Sequence, residues 1–182
     1  KTLGYRSRSA FKLIELNKKY RFIKRNNKLL DIGACPGGWS QVSSKIISSG
    51  KILSIDIKKM DELKNVSFLQ CDFLQKSTKE KILNFFGEEL DVVLSDMAAD
   101  TTGNKSLDCI RTNKLCADVV EFSSKILKPN GILVSKLFTG DDFLEVKELA
   151  KSKFKKVEFF KPEASRRESK ETYIHCAILK TL

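Results

Sequence analysis

The sequence predicts one α/β domain spanning residues 1–182, with a mostly parallel sheet covered by helices on both faces. Two observations predict the class. Apolar segments of strand length alternate with amphipathic segments of helix length along the whole chain. The 182 residues suit a single core, long enough to bury roughly two thirds of the surface that the unfolded chain exposes. A third observation qualifies the first: the last two apolar segments have no helix between them, which predicts a late antiparallel pair.

The elements follow in order. "SRSAFKLIELNKKY" spaces Leu13 and Leu16 with Phe11, Ile14 and Tyr20 as a helix over about residues 7–20, with Ser7 or Ser9 able to cap its start. "KLLDIG" reads as a strand, "WSQVSSKII" as a helix, and "KILSIDI" and "VSFLQCD" as strands. "KEKILNFF" is helical, "DVVLSD" a strand, and a long helix runs from about Leu107 to Leu127. "GILVSKLF", the helical "FLEVKELAKS", "KVEFFKP" and "TYIHCAILK" complete the chain. "AADTTGNKSLD" and "KPEASRRESKE" are loop compositions.

Composition narrows the function classes. The chain is 41% hydrophobic and 31% charged, and no apolar run approaches membrane-spanning length. Lys and Arg number 34 against 23 Asp and Glu, a net charge of +11 that favours a polyanionic partner through counterion release. Five cysteines without a CxxC pair fit a reducing compartment, and the single histidine, His175, gives no ligand spacing for a metal. The chain opens on Lys1 with basic residues, as if an upstream piece preceded it. The expected compartment is the cytoplasm if the source is bacterial and an organelle, mitochondrial or similar, if it is eukaryotic.

In sheets of this kind ligands bind beyond the carboxyl ends of the strands, where strand order reverses. "LLDIGACPGGWSQV" lies there, with Gly33, Gly37 and Gly38 opening the backbone between a strand and a helix. The spacing is GxxxGG, not the GxGxxG that receives a pyrophosphate, and no Lys-Ser/Thr follows, which removes the P-loop reading. Asp56 ends the second strand about twenty residues after Gly33, where a carboxylate can accept both ribose hydroxyls of an adenosine. Asp72 ends the third strand, placed to accept from an adenine amino group. Together they describe a site for an adenosine without phosphates, and S-adenosylmethionine is the matching cofactor. Asp31 and Asp96, near the same edge, favour its cationic methionine portion. Trp39 is compatible with a core position as well as a cofactor contact, and Cys35 reads as packing.

"SDMA" closes the fourth strand without the Pro-Pro-aromatic stack of an amine-methylating enzyme. The remaining anomaly is Lys136, a lysine at the end of the apolar run "GILVSKLF", where burial calls for a partner. Glu171 opens the last apolar segment and Lys12 sits in the first helix, so a cluster of opposite charges is available.

At these residues the sequence resembles the FtsJ/RrmJ family of ribose 2′-O-methyltransferases. "YRSRSAFKL", "DIGACPGGWSQV", "SDMA", "VSKLF" and "KPEASRRESKETYI" occur in the family's order over essentially the whole chain. The resemblance implies the Rossmann-like fold of class I S-adenosylmethionine-dependent methyltransferases, with a seven-stranded sheet. It implies a catalytic tetrad of Lys12, Asp96, Lys136 and Glu171. For the cofactor it implies Gly33, Pro36, Gly37, Gly38, Trp39, Asp56, Asp72 and Asp96. "PGGW", "SDMA" and the "SRxxSxExY" ending are similar to the bacterial and organellar branch, whose substrate is a uridine of large-subunit ribosomal RNA. Ala99 stands where that branch usually has proline, which predicts a softer loop.

In such a site Lys136 would take the ribose proton, its pKa lowered by burial and by Lys12, or would hold the developing oxyanion as a cation. RNA contacts are expected from Arg6, Arg8, Arg166, Arg167 and Lys170, with Lys12 beside them. The protein is expected to act as a monomer without an obligate protein partner. Rival readings are the same chemistry on tRNA or an mRNA cap, a non-catalytic RNA-binding protein on this fold, and a dinucleotide-dependent oxidoreductase, which GxxxGG disfavours.

Overall fold

A computed structural model describes residues 3–181. The chain runs α1 (Ser9–Tyr20), β1 (Lys28–Ile32), α2 (Gly38–Ile46), β2 (Lys51–Asp56), β3 (Ser67–Gln70), α3 (Lys76–Phe86), β4 (Leu90–Ser95), α4 (Lys105–Ile126), β5 (Leu127–Phe138), α5 (Phe143–Lys153), β6 (Phe154–Phe160) and β7 (Glu171–Leu179). The seven strands form one sheet in the order β3-β2-β1-β4-β5-β7-β6. β1 to β5 pair in parallel, and β7 inserts antiparallel between β5 and β6. The late antiparallel pair is thus present, and its second strand reaches inward to the parallel part of the sheet.

Both faces of the sheet are covered, so its central strands are apolar on both sides. Leu29, Ile52, Val92 and Leu94 pack with Leu13 and Leu16 of α1 and Trp39 and Val42 of α2 on one face. Leu30, Ile32, Leu53 and Ile55 pack with Ile82 and Phe86 of α3, Val119 and Val120 of α4 and Val146 of α5 on the other. This two-sided burial is why "KLLDI" and "KILSI" read as continuous apolar runs. Each fully buried Leu or Ile contributes about 1.5–3 kcal/mol relative to exposure.

Helix boundaries differ from the sequence expectation in two places. α1 begins at Ser9, with Arg8 as its cap residue and no side-chain cap, because Ser7 and Ser9 pair their hydroxyls with each other at 2.7 Å. Ser7 is held there by close approach of α2: a Cβ added at Gly38 would stand 2.2 Å from the Ser7 hydroxyl. α4 starts at Lys105, where the Asn104 side chain accepts from the Leu107 N–H, and it gives way at Leu127 directly to β5.

Candidate active site

Strand order reverses between β1 and β4, and the carboxyl ends of β1, β2 and β4 open onto a cleft of about 630 Å³. Gly33, Asp56, Asp72 and Asp96 line it, as their strand-end positions predict. Gly33 adopts φ +72°, and a Cβ there would stand 2.5 Å from Met97 Cγ, so glycine keeps the turn and the β4 end together. The Gly33 and Ala34 N–H groups both donate to the Ile55 carbonyl, at 2.9 and 3.1 Å. Asp56 is fixed from both oxygens: Oδ2 accepts from the Cys35 N–H (2.9 Å) and Oδ1 from the Lys58 N–H (2.8 Å). Asp72 Oδ1 accepts from the Leu74 N–H at 2.9 Å.

The rest of the glycine turn is placed differently. Pro36, Gly37 and Gly38 form the shoulder beside the cleft, not part of its lining. The Trp39 side chain is a core residue: it is buried, donates its indole N–H to the Ser9 carbonyl at 2.8 Å and packs against Tyr173. Only the Trp39 backbone remains for a ligand. Cys35, read from sequence as packing, instead lines the cleft.

Beneath the cleft lies Asp31, fully buried. Its Oδ2 accepts from the Ser40 hydroxyl at 2.7 Å, and its Oδ1 is buried with no partner among the described residues. Burial pushes this carboxyl up to about 7; the Ser40 hydrogen bond opposes the shift, and the charges of Asp96 and Asp56 add to it. The fold therefore gathers carboxylates at the edge where a ligand would sit, and a cation is the charge that would relieve them. The cleft fits an adenosine with a cationic tail.

The second half of the site joins α1, β4, β5 and β7. Lys12 Nζ donates to both oxygens of Glu171, at 2.9 and 2.8 Å. Lys136 Nζ lies 3.2 Å from Asp96 Oδ1, 3.3 Å from Glu171 Oε1 and 3.4 Å from the Asp96 carbonyl. The four residues predicted as a tetrad thus form one connected cluster, with side-chain exposures of 17% or less. Burial pulls Lys136 down, but the charges and hydrogen bonds of Asp96 and Glu171 outweigh it and hold the ammonium above its ordinary value. Of the two sequence readings of Lys136, this direction favours the cation that holds the oxyanion over the lowered lysine. Glu171 is the mirror case: burial raises it, but Lys12, Lys136 and Ser165 outweigh burial and keep it below the ordinary glutamate value.

Sequence reasoning missed Tyr173. Its hydroxyl donates to Asp96 Oδ1 at 2.7 Å and lies 3.3 Å from Glu171 Oε1, while its ring is fully buried against Trp39. Burial and the two carboxylates push the phenol well above its usual value, so it remains a donor. The signal was present: Tyr173 lies two residues after Glu171 on a strand, hence on the same face. Ser165, whose hydroxyl donates to Glu171 Oε2 at 2.9 Å, was also missed.

Arg8, Arg166, Arg167 and Lys170 are exposed. The loop carrying the last three, residues 161–170, is tied to α1 by Glu15, which accepts from the Glu163 and Ala164 N–H groups at 2.6 and 2.9 Å. The basic loop therefore lies against α1, the helix that follows Arg8. Arg6 differs from the others, since its guanidinium is bonded to backbone carbonyls. At Ala99 the N–H, which proline would lack, donates to the buried Thr112 hydroxyl at 3.0 Å.

Sheet order, covered faces and a carboxylate-rimmed cleft at the switch point define a class I, Rossmann-like methyltransferase fold. The chain belongs to the FtsJ-like methyltransferase family, whose sequence pattern matches residues 5–179. It is 45% identical over 177 residues to the ribosomal RNA large subunit methyltransferase E of Pelagibacter ubique, covering 97% of this chain and 87% of that one. The protein of that name from Rickettsia akari is 44% identical, over 94% and 78% of the two chains. A crystal structure of a ribosomal RNA methyltransferase from Plasmodium falciparum superposes with a TM-score of 0.84 at 32% identity, covering 96% of this chain and 98% of that one. A fibrillarin pre-rRNA processing protein of Methanococcus jannaschii, 16% identical with a TM-score of 0.61 over 88% and 70% of the chains, shares the fold.

Proposed function

We propose that this chain methylates the 2′-hydroxyl of a uridine in large-subunit ribosomal RNA, with S-adenosylmethionine as donor. The observation that carries the reading is the connected Lys12–Glu171–Lys136–Asp96 cluster at the mouth of an adenosine-sized, anionic cleft. Two buried lysines held by two carboxylates are expensive in a protein that only binds RNA. The similarity to proteins named as large-subunit methyltransferases favours ribosomal RNA over tRNA.

In this reading Asp56 meets the cofactor ribose, Asp72 the adenine amino group and Asp96 the cationic end, which the buried Asp31 favours only through its charge. Gly33 lets the backbone approach, and Pro36, Gly37, Gly38 and Trp39 contribute turn geometry and backbone groups. Bound S-adenosylmethionine supplies a methyl group on a positively charged sulfur. The residues of the chain then have two tasks, to hold the ribose oxygen in line and to manage one proton. Alignment alone accounts for much of such an acceleration.

Lys136 rests as an ammonium because Asp96 and Glu171 outweigh its burial, so it meets the ribose oxygen as a hydrogen-bond donor and stabilises negative charge developing there, while the proton that the hydroxyl gives up passes to solvent water. A proton-accepting role for Lys136 requires a further positive charge in the site to offset the carboxylates. Tyr173 and Lys12 hold Asp96 and Glu171 in place, and Arg8, Arg166, Arg167 and Lys170 meet phosphates.

The test is transfer of labelled methyl to large ribosomal subunits, with bulk tRNA in parallel, followed by alkaline hydrolysis. A methylated 2′-oxygen cannot attack its phosphodiester, so ribose methylation leaves label in alkali-resistant dinucleotides. Label there from subunits alone, lost in Lys136→Ala, is the expected result. Label in mononucleotides would refute ribose chemistry, and label only in tRNA would move the substrate.

A further inference from the structure

Arg6 carries an inference beyond the tetrad. Its guanidinium donates to three backbone carbonyls: Pro36 (3.3 Å) and Asp61 (2.7 Å) through Nη1, and Glu62 (2.6 Å) through Nη2. Its own N–H donates to Gln41 Oε1 at 3.0 Å, and Gln41 Nε2 donates to the Gly4 carbonyl at 3.0 Å. The side chain lies flat on the glycine turn: a Cβ added at Gly37 would stand 3.0 Å from Arg6 Nη1 and 3.2 Å from Arg6 Cδ. One residue thus binds the turn before α2, the segment leading on from Asp56 at the end of β2, and the chain just ahead of α1. A guanidinium offers five donors in a rigid fork, and three carbonyls occupy much of it. The three bonds fix the plane of the guanidinium against the two segments.

The chain held by Arg6 continues directly into α1, where Lys12 is bonded to Glu171. The carbonyls that hold Arg6 belong to the two segments that border the cofactor cleft. We propose that Arg6 is a positioning residue, a latch through which filling of the cofactor cleft and seating of Lys12 in the tetrad are coupled. The proposal rests on the reading that the cleft holds S-adenosylmethionine and that the tetrad serves the transfer. A cofactor that orders the 36–38 turn and the segment after Asp56 fixes the acceptors that hold Arg6, and through it the start of α1. By linkage, loosening the start of α1 must weaken the cofactor by the same factor.

The experiment compares the full chain with Arg6→Ala, Arg6→Lys and Gln41→Ala. Three quantities are read: S-adenosylmethionine affinity by calorimetry, its effect on hydrogen exchange over residues 4–12, and the salt dependence of RNA binding. Arg6→Ala is expected to weaken S-adenosylmethionine about 10-fold, through loss of several charge-assisted hydrogen bonds. It should also abolish the cofactor-dependent protection of residues 4–12 and leave the salt slope unchanged. Arg6→Lys should recover only part of the affinity. Gln41→Ala, which loosens the same segment without altering charge, should weaken the cofactor about 3-fold, and it carries the test if Arg6→Ala does not fold. An Arg6→Ala slope reduced by about 0.7–0.9 with cofactor affinity intact would make Arg6 a phosphate contact and overturn the latch. Unchanged affinity and unchanged protection in all three variants would overturn it as well. A wild-type chain that binds RNA but not S-adenosylmethionine would refute the cofactor reading itself, and the latch with it.

Discussion

Replacing Asp31 by asparagine should make the protein more stable at pH 8 and worse at binding its cofactor. Asp31 is fully buried, with one oxygen on the Ser40 hydroxyl and the other without a partner among the described residues. Its carboxyl titrates at about 7 in the fold against 3.8 as the ordinary value. Between those two values the native state holds a proton that the unfolded chain has released, so stability falls as pH rises through this window. At about 1.4 kcal/mol per pH unit, the ionised carboxylate costs about 4 kcal/mol by pH 8. Asparagine removes that cost but puts a buried amide N–H₂ with no acceptor where the unpartnered oxygen was, which takes back about 1–3 kcal/mol. A net gain of about 1–3 kcal/mol at pH 8 remains, a rise in Tm of roughly 2–4 °C per kcal/mol for a chain of this size. The gain should shrink to nothing or reverse by pH 4, where aspartic acid is neutral. Urea unfolding of both chains from pH 4 to 8, with S-adenosylmethionine titrated at each pH, measures the two effects together. A difference in stability that does not grow with pH would refute the reasoning about Asp31, and unchanged cofactor affinity would refute its role toward the cation.

Tyr173→Phe removes the donor to Asp96 and Glu171 while keeping the buried ring; kcat at saturating cofactor should fall about 3- to 10-fold with RNA affinity intact, and an unchanged kcat would make Tyr173 a core residue only. Arg166→Ala with Arg167→Ala should lower the slope of log K against log salt by about 1.4–1.8 and leave cofactor affinity alone; an unchanged slope would remove both from the RNA surface. His175, which stacks on Tyr20 with ring centroids 3.9 Å apart, is pushed down to about 4 chiefly by burial. A lowered histidine lends stability that is full above about 6.5 and lost as pH falls toward 4, so His175→Phe should remove about 2 kcal/mol of acid sensitivity once solvent screening is allowed for. Equal acid midpoints for the two chains would contradict this.

The fold was legible because each central strand is buried on both faces, which writes "KLLDI" and "DVVLS" as apolar runs that no exposed element would tolerate. The cleft residues Gly33, Asp56, Asp72 and Asp96 were legible for a related reason: a carboxylate or glycine at the end of an apolar strand marks the sheet edge. Lys136 stood out by the same contrast. What the sequence concealed were residues whose partners are backbone atoms or distant in the chain. Arg6 looks like any basic residue near a terminus until the carbonyls of Pro36, Asp61 and Glu62 are seen around it. Trp39 stands in a glycine-rich turn like a ligand contact, but the first turn of a helix can send its side chain inward, here to the Ser9 carbonyl. The direction of the Lys136 shift depends on distances near 3 Å to two carboxylates, and pattern alone supplies no distances.

The charge distribution explains how one small domain keeps two ligands of opposite sign apart. The chain as a whole carries +11, which draws a polyanion to its surface. The cleft is lined by the carboxylates of Asp56, Asp72, Asp96, Asp100 and Asp118 against the cations of Lys58, Arg111 and Lys114, an acidic excess that suits a cationic cofactor better than a phosphate. The two fields meet at the contact between Asp96 and Lys136. Asp96 lines the cleft, while Lys136 and Lys12 are held by Glu171 on the side of the basic loop. A transfer from a cationic donor to a ribose in a polyanion has to take place at such a boundary, and the Asp96–Lys136 contact is where this fold builds it.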